Sequence, residues 1–225
     1  MSSETSGSSP RKLYPRDGVE FNRVLAFSDG VFAIAITLLV ISIEVPDLAD
    51  KDSVGDLADA LNDLYPAIVS FVISFLVIGR YWIAHHTFVA SLKGIDGAFI
   101  WANLIYLGFV AFLPFPTALL GELFENPLSI AVYAVAAGAV SAMEVVLMRR
   151  AHRDGLMDPP LSDEAMKWGS LAALTPVLFF ALSIPIAFLA GTTLAALSWL
   201  LTIPAAMALD RRRPAEVRGE LERIG

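Results

Sequence analysis

Six apolar segments dominate this sequence, at about residues 23–45, 61–84, 98–120, 127–148, 166–189 and 192–209. A helix needs about 20 predominantly apolar residues to cross a hydrocarbon core, and each segment is about that long. Backbone amides in lipid must be satisfied within the structure, which leaves helices and closed barrels. Barrel strands need only about 10 residues of alternating polarity, whereas these runs are longer and unbroken. The sequence therefore predicts an all-α integral membrane protein with six transmembrane helices per chain. Composition agrees, because 56% of the 225 residues are hydrophobic and only 17% are charged, a balance foreign to soluble domains.

Proline and glycine punctuate the spans. The PFP at 114–116 should kink or end the third early, and Pro176 and Pro185 lie inside the fifth. A tight turn centred on Gly191 should join the fifth to the sixth. The first segment runs to Pro46.

Basic residues orient the spans, since cytoplasmic loops carry the excess of Lys and Arg. With alternating topology, Arg11, Lys12, Arg16 and Arg23 fall on the same side as Arg80 and Lys93, then Arg149, Arg150, Arg153 and Lys167, and finally Arg211, Arg212, Arg213, Arg218 and Arg223. Of the 16 basic residues only Lys51 falls on the other side. Both termini are therefore expected in the cytoplasm. The opposite loops carry Asp47, Asp50, Asp52, Asp56, Asp59 and Asp63, then Glu122 and Glu125; these are either solvated loop residues or a field that concentrates cations.

Residues 1–20 are polar, Ser-rich and broken by Gly and Pro, the composition of a disordered tail, with no apolar region of a signal peptide. The expected organisation is a disordered cytoplasmic tail over 1–20, a six-helix membrane domain over 21–210 and a basic cytoplasmic tail over 211–225.

Several chemistries lack their residues. There is no cysteine, hence no disulfide, thiolate metal site or thiol nucleophile. A net charge of -7 disfavours nucleic acid as a partner. No TVGYG filter, regularly spaced arginine series, GxxxxGK[ST], HExxH or GxSxG is present. His85 and His86 are adjacent on a helix, so they point about 100° apart and lack a third ligand for a metal. Neither a metal, a cofactor nor an enzymatic activity is expected.

Ionisable groups inside spans are costly, and each is a candidate for function. Arg23 and Asp29 lie in the first span, Arg80 near the end of the second, His85 and His86 just beyond it, and Glu144 in the fourth, where it can snorkel or pair locally. Arg23 and Asp29 are six residues apart and share no helical face, so Asp29 needs a partner from another span. Antiparallel neighbours bring the start of span one level with the end of span two and the start of span three, within reach of His85, His86 and Asn103. Ser28, Asp29, His85 and Asn103 then form either a clamp between helices or part of a proton or ion path.

On a helical projection Phe27, Ile34, Leu38, Ile41 and Val45 fall in a stripe about 60° wide, with Gly30 and Thr37 at its edges. The lack of bulky aromatic surface toward lipid on this span would suit a helix buried in protein.

The run Arg23-Val-Leu-Ala-Phe27-Ser28-Asp29 matches an RxxxFSD signature, followed by FAIAITLLV, by Trp82 and His85 as WxxH, and by Asn103 with LPFPT. In these features, over residues 20–210, the chain resembles bacterial members of the endolysosomal potassium channel family, transmembrane protein 175. The resemblance implies a passive, potassium-selective cation channel with potassium as the permeant ion and first helices gathered around a central axis. Animal members carry two six-helix repeats and dimerise; a single repeat implies a homotetramer in the lipid bilayer of a bacterial plasma membrane. It also implies a narrowest point at Ile34, a contribution to selectivity from Thr37, and further apolar rings at Leu38 and Ile41. The competing reading is a proton-coupled small-solute transporter that uses Asp29 and His85 as a relay, although no inverted repeat is visible between the halves.

Overall fold

The computed structural model describes residues 12–222. Six segments in it are helical, long and apolar enough to cross a membrane, namely Val19–Ser42, Tyr65–Ala90, Gly97–Glu122, Pro127–Arg153, Asp163–Ala190 and Thr192–Arg212. These are the six expected spans. Their elements are α1 (Val19–Leu38, continued as a 3-10 turn over Leu39–Ser42), α3 (Tyr65–Ala90), α4 (Gly97–Phe112) with α5 (Pro114–Glu122), α6 (Pro127–Arg153), α7 (Asp163–Ala190), and α8 (Thr192–Ser198) with α9 (Thr202–Arg212).

Local chemistry sets the boundaries. Asp96 accepts a hydrogen bond from the Phe99 amide at 2.6 Å, Asn126 from Leu128 at 3.0 Å and Ser162 from Ala165 at 3.1 Å, so α4, α6 and α7 each start on a side-chain cap. Asp163 and Glu164 follow the Ser162 cap, and Arg150 and Arg153 close α6, complementing the helix dipoles. Gly191 takes φ 103°, a conformation that glycine adopts without strain, and turns the chain from α7 into α8.

The Pro114 ring cannot continue the hydrogen-bond ladder, so span three is divided into α4 and α5. Pro176 and Pro185, in contrast, lie within an α7 that stays helical across both. Span one is helical to Ser42 and extended at Ile43, short of the expected end at Val45.

α6 is the most buried span, and α4 and α7 pack on it. Its Ala134, Ala137, Gly138 and Ser141 are small enough to admit close neighbours. Polar side chains tie this centre together: Thr117 donates to Ser74 Oγ at 2.8 Å, Ser74 donates to Tyr133 OH at 3.1 Å, and Tyr81 OH donates to the Ala137 carbonyl at 2.8 Å. Tyr133, Phe180 and Trp199 join spans four, five and six as an aromatic cluster with centroids 5.0 to 6.3 Å apart. α1 lies to one side of this core, against α3 and α4.

The regions outside the spans differ from expectation. Residues 1–11 of the expected disordered tail lie outside the described residues, but Leu13–Pro15 forms a strand, β1, antiparallel to β2 (Gly94–Asp96). Backbone hydrogen bonding to the loop between spans two and three offsets the polar composition there. The acidic loop after span one contains α2 (Val54–Asp63), capped by Ser53. In the expected C-terminal tail, α9 runs on through Arg212 and Ala215–Glu222 forms α10, whose Val217 is buried against the bundle. Residues 223–225 lie outside the described residues.

Candidate ion path and its inner mouth

The two faces of α1 have different fates. Phe21, Ser28, Phe32, Ala35 and Leu39 recur at helical spacing and are buried against α3 and α4. The stripe singled out in the sequence lies elsewhere on the same helix, and no other described part of the chain covers it: Phe27 is 55% exposed, Ile34 60%, Leu38 42% and Ile41 70%. Thr37 is exposed beside them and donates back to the Ala33 and Ile34 carbonyls at 2.9 and 3.0 Å. That bonding uses its proton and leaves the hydroxyl oxygen as an acceptor on the open side. Ala26, Gly30, Ala33 and Thr37 form a ridge of small side chains next to the apolar stripe.

At the end of α1 nearest the N-terminus, a buried chain of polar groups joins three spans. Asn103 Nδ2 donates to Ser28 Oγ at 3.0 Å, and Asn103 Oδ1 meets His85 Nε2 at 2.8 Å. Ser28 Oγ itself donates to the Val24 carbonyl at 2.9 Å. Its proton is thus committed, so Asn103 must present its amide to Ser28 and its oxygen to His85. His85 consequently carries its proton on Nε2, and its Nδ1 has no hydrogen-bond partner among the described residues. The ring is held between Tyr106, stacked at 5.1 Å, and Phe32, tilted at 5.6 Å.

Asp29 does not join this chain. Its Oδ1 accepts from Trp82 Nε1 at 2.9 Å, and the Trp82 ring packs on His86 at 5.5 Å. The expected four-residue clamp is therefore two separate devices one residue apart on α1: Ser28–Asn103–His85, which is buried, and Asp29–Trp82, which is partly open. The cause is helix geometry, since successive side chains diverge by about 100° and Ser28 and Asp29 cannot point at the same partner. No hydrogen bond connects Asp29 to His85, so the relay required by the transporter reading lacks a link among the described residues.

Arg23 and Phe27 also stand outside the network. Arg23 pairs with Glu20 at 3.4 Å, and both side chains are well exposed. With Phe27 and Leu104 they line an open groove of about 280 Å³ between α1 and α4. The signature thus divides in two, with Arg23 and Phe27 on the uncovered side and Ser28 and Asp29 on the anchored side. Among the described residues no group of His, Cys, Asp and Glu could hold a metal ion.

These features define a six-span membrane protein whose first helix is anchored by polar side chains at one end and uncovered along an apolar face. A family model described as "Endosomal/lysosomal potassium channel TMEM175" matches residues 23–114. A protein of Streptomyces collinus named as a potassium channel is 38% identical over 183 residues, spanning 79% of this chain and 87% of its own length. A second protein so named, from Chamaesiphon minutus, is 42% identical over 130 residues, 58% of this chain and 64% of its own. The crystal structure of a lysosomal potassium-selective channel TMEM175 homolog from Chamaesiphon minutus superposes with a TM-score of 0.70 at 30% identity, covering 86% of this chain and 97% of that one. The chain belongs to the TMEM175 family.

Proposed function

We propose that the protein is a potassium channel, conducting passively through a homotetramer whose four α1 helices surround a central pore. The observation that carries this reading is the open face of α1. Ile34, Leu38 and Ile41 are large and apolar, yet they lie on a helix whose other side is fixed in the protein. Beside them stands a ridge of small residues, Ala26, Gly30, Ala33 and Thr37, which lets neighbouring helices approach closely. Cyclic assembly of four copies would place that ridge at the contact between helices and the apolar stripe on the axis.

In this arrangement Ile34 forms the narrowest ring, and Leu38 and Ile41 form successive rings along the same path. A hydrophobic constriction gates by dewetting, so ions pass only when the ring widens enough to hold water. Thr37 offers an oxygen at the edge of that path and contributes to selectivity. Ser28, Asn103 and His85, with Asp29 and Trp82, set the position of α1 and hence the diameter of the ring. The names of the relatives supply the ion. Both termini face the cytoplasm, by the distribution of basic residues, and the membrane is a bacterial plasma membrane.

Recording from the purified full chain in liposomes tests this reading. A current that reverses at the potassium equilibrium potential, with no second solute, is expected. Strict dependence on a proton gradient and a co-solute would establish the transporter instead.

A further inference from the structure

A second cleft, of about 290 Å³, opens between α3, α6 and α7, away from the stripe on α1. Glu144 lines it, 7% exposed and with no hydrogen-bond partner among the described residues. Arg80 lines it too, and no ion pair joins the two. Of the other polar groups, Thr87 lines the cleft as well, whereas Tyr81 OH is already engaged, donating to the Ala137 carbonyl and sharing a 2.9 Å hydrogen bond with Ser141 Oγ. The charge of Arg80 acts on Glu144 without touching it, and a carboxylate that lacks hydrogen-bond donors within a membrane span is costly, so the cleft calls for an occupant that gives hydrogen bonds to Glu144 and accepts them from Arg80. Ile83 and Pro176 are among the side chains that make the rest of its wall apolar.

The level of the pair limits the occupant. Glu144 lies nine residues before Arg153 at the end of α6, and Arg80 ten before Ala90 at the end of α3. At 1.5 Å per residue both are about 14 Å inside the helix ends but only about 6 Å inside the apolar segments that end near Ala84 and Met148, just within the hydrocarbon boundary. A group bearing both charges, attached to an apolar body, satisfies all of these conditions.

We infer that this cleft holds the headgroup of a zwitterionic phospholipid with a primary ammonium, the ammonium on Glu144 and the phosphate on Arg80. Arginine suits the phosphate because its planar fork donates two parallel bonds. Glu144 requires N–H donors, which a phosphoethanolamine has and a phosphocholine lacks. A phosphoglycerol headgroup offers no cation at all.

The test uses the wild-type full chain reconstituted in equal mixtures of phosphatidylethanolamine, phosphatidylcholine and phosphatidylglycerol, then extracted in mild detergent. Native mass spectrometry should find phosphatidylethanolamine retained about tenfold over either competitor, and Glu144→Gln or Arg80→Gln should remove that preference. Equal retention of the three lipids by the wild type would overturn the inference without reference to any variant. A preference unchanged in both variants would overturn it as well. Displacement of the bound lipid by soluble glycerophosphoethanolamine at matched concentration would show that the cleft takes a free solute and not a lipid.

Discussion

Trp82 reaches from the second span to the first and donates its indole Nε1–H to Asp29 Oδ1 at 2.9 Å. This bond gives the acid at the opening of the apolar run its partner, and it fixes α1 against α3 beside the buried Ser28. A hydrogen bond to a charged group is worth about 1.5–3 kcal/mol when shielded, and less at a partly open site. A double-mutant cycle of Asp29→Ala and Trp82→Phe, read as thermal stability in detergent, should show a coupling of about 1 kcal/mol. Strictly additive effects would mean that the bond holds nothing.

The position of the proton on His85 gives a second prediction. Glutamine can place an amide where His85 Nε2 donates to Asn103, whereas asparagine imitates the other ring nitrogen. His85→Gln should therefore retain more stability than His85→Asn, by about 1 kcal/mol, the net worth of one hydrogen bond. The reverse order would assign the proton to Nδ1.

Much of this architecture was legible in the sequence because lipid imposes a length and a polarity on every span. The break at Pro114 and the turn at Gly191 were legible for equally local reasons. The pairing of Asp29 was not. Depth in the membrane placed His85, His86 and Asn103 near it and left out Trp82, because which side chain it meets depends on the rotation of two helices, and spacing along one helix does not specify that. The indole N–H at Trp82 was the available signal, since an aromatic with a polar edge near the end of a span seeks an acceptor. The strand at Leu13–Pro15 was hidden because its stability comes from a distant partner, Gly94–Asp96, and its own composition gives no sign of it. The Glu144 cleft likewise joins residues from three helices far apart in the chain.

Close approach of helices predicts a third outcome. A Cβ placed on Gly121 would stand 2.9 Å from the Ala67 Cα, where α5 passes α3. Backbone at that distance cannot rotate away, so Gly121→Ala should cost about 1–3 kcal/mol and lower the melting temperature of the purified protein. An unchanged melting temperature would show that the two helices can separate at no cost.

Ile34 is predicted to act on conduction and not on folding. Because its side chain is uncovered within the chain, Ile34→Asn should leave the tetramer intact on size exclusion. The polar ring should hold water more readily, so conductance should change and potassium over sodium selectivity should fall. Currents identical to the wild type would remove Ile34 from the constriction.

The absence of cysteine from the sequence makes the central claim directly measurable, since one introduced thiol is the only thiol present. Ile34→Cys and, as an outward control, Leu189→Cys can each be reconstituted in liposomes and exposed to a charged, water-soluble methanethiosulfonate during recording. Leu189 is 87% exposed at the far end of α7, away from the α1 stripe. If four α1 helices line the potassium path, modification should suppress the Ile34→Cys current and leave that of Leu189→Cys unchanged. A reagent that labels Ile34→Cys fully, as read by mass spectrometry, while the potassium current persists would contradict the account.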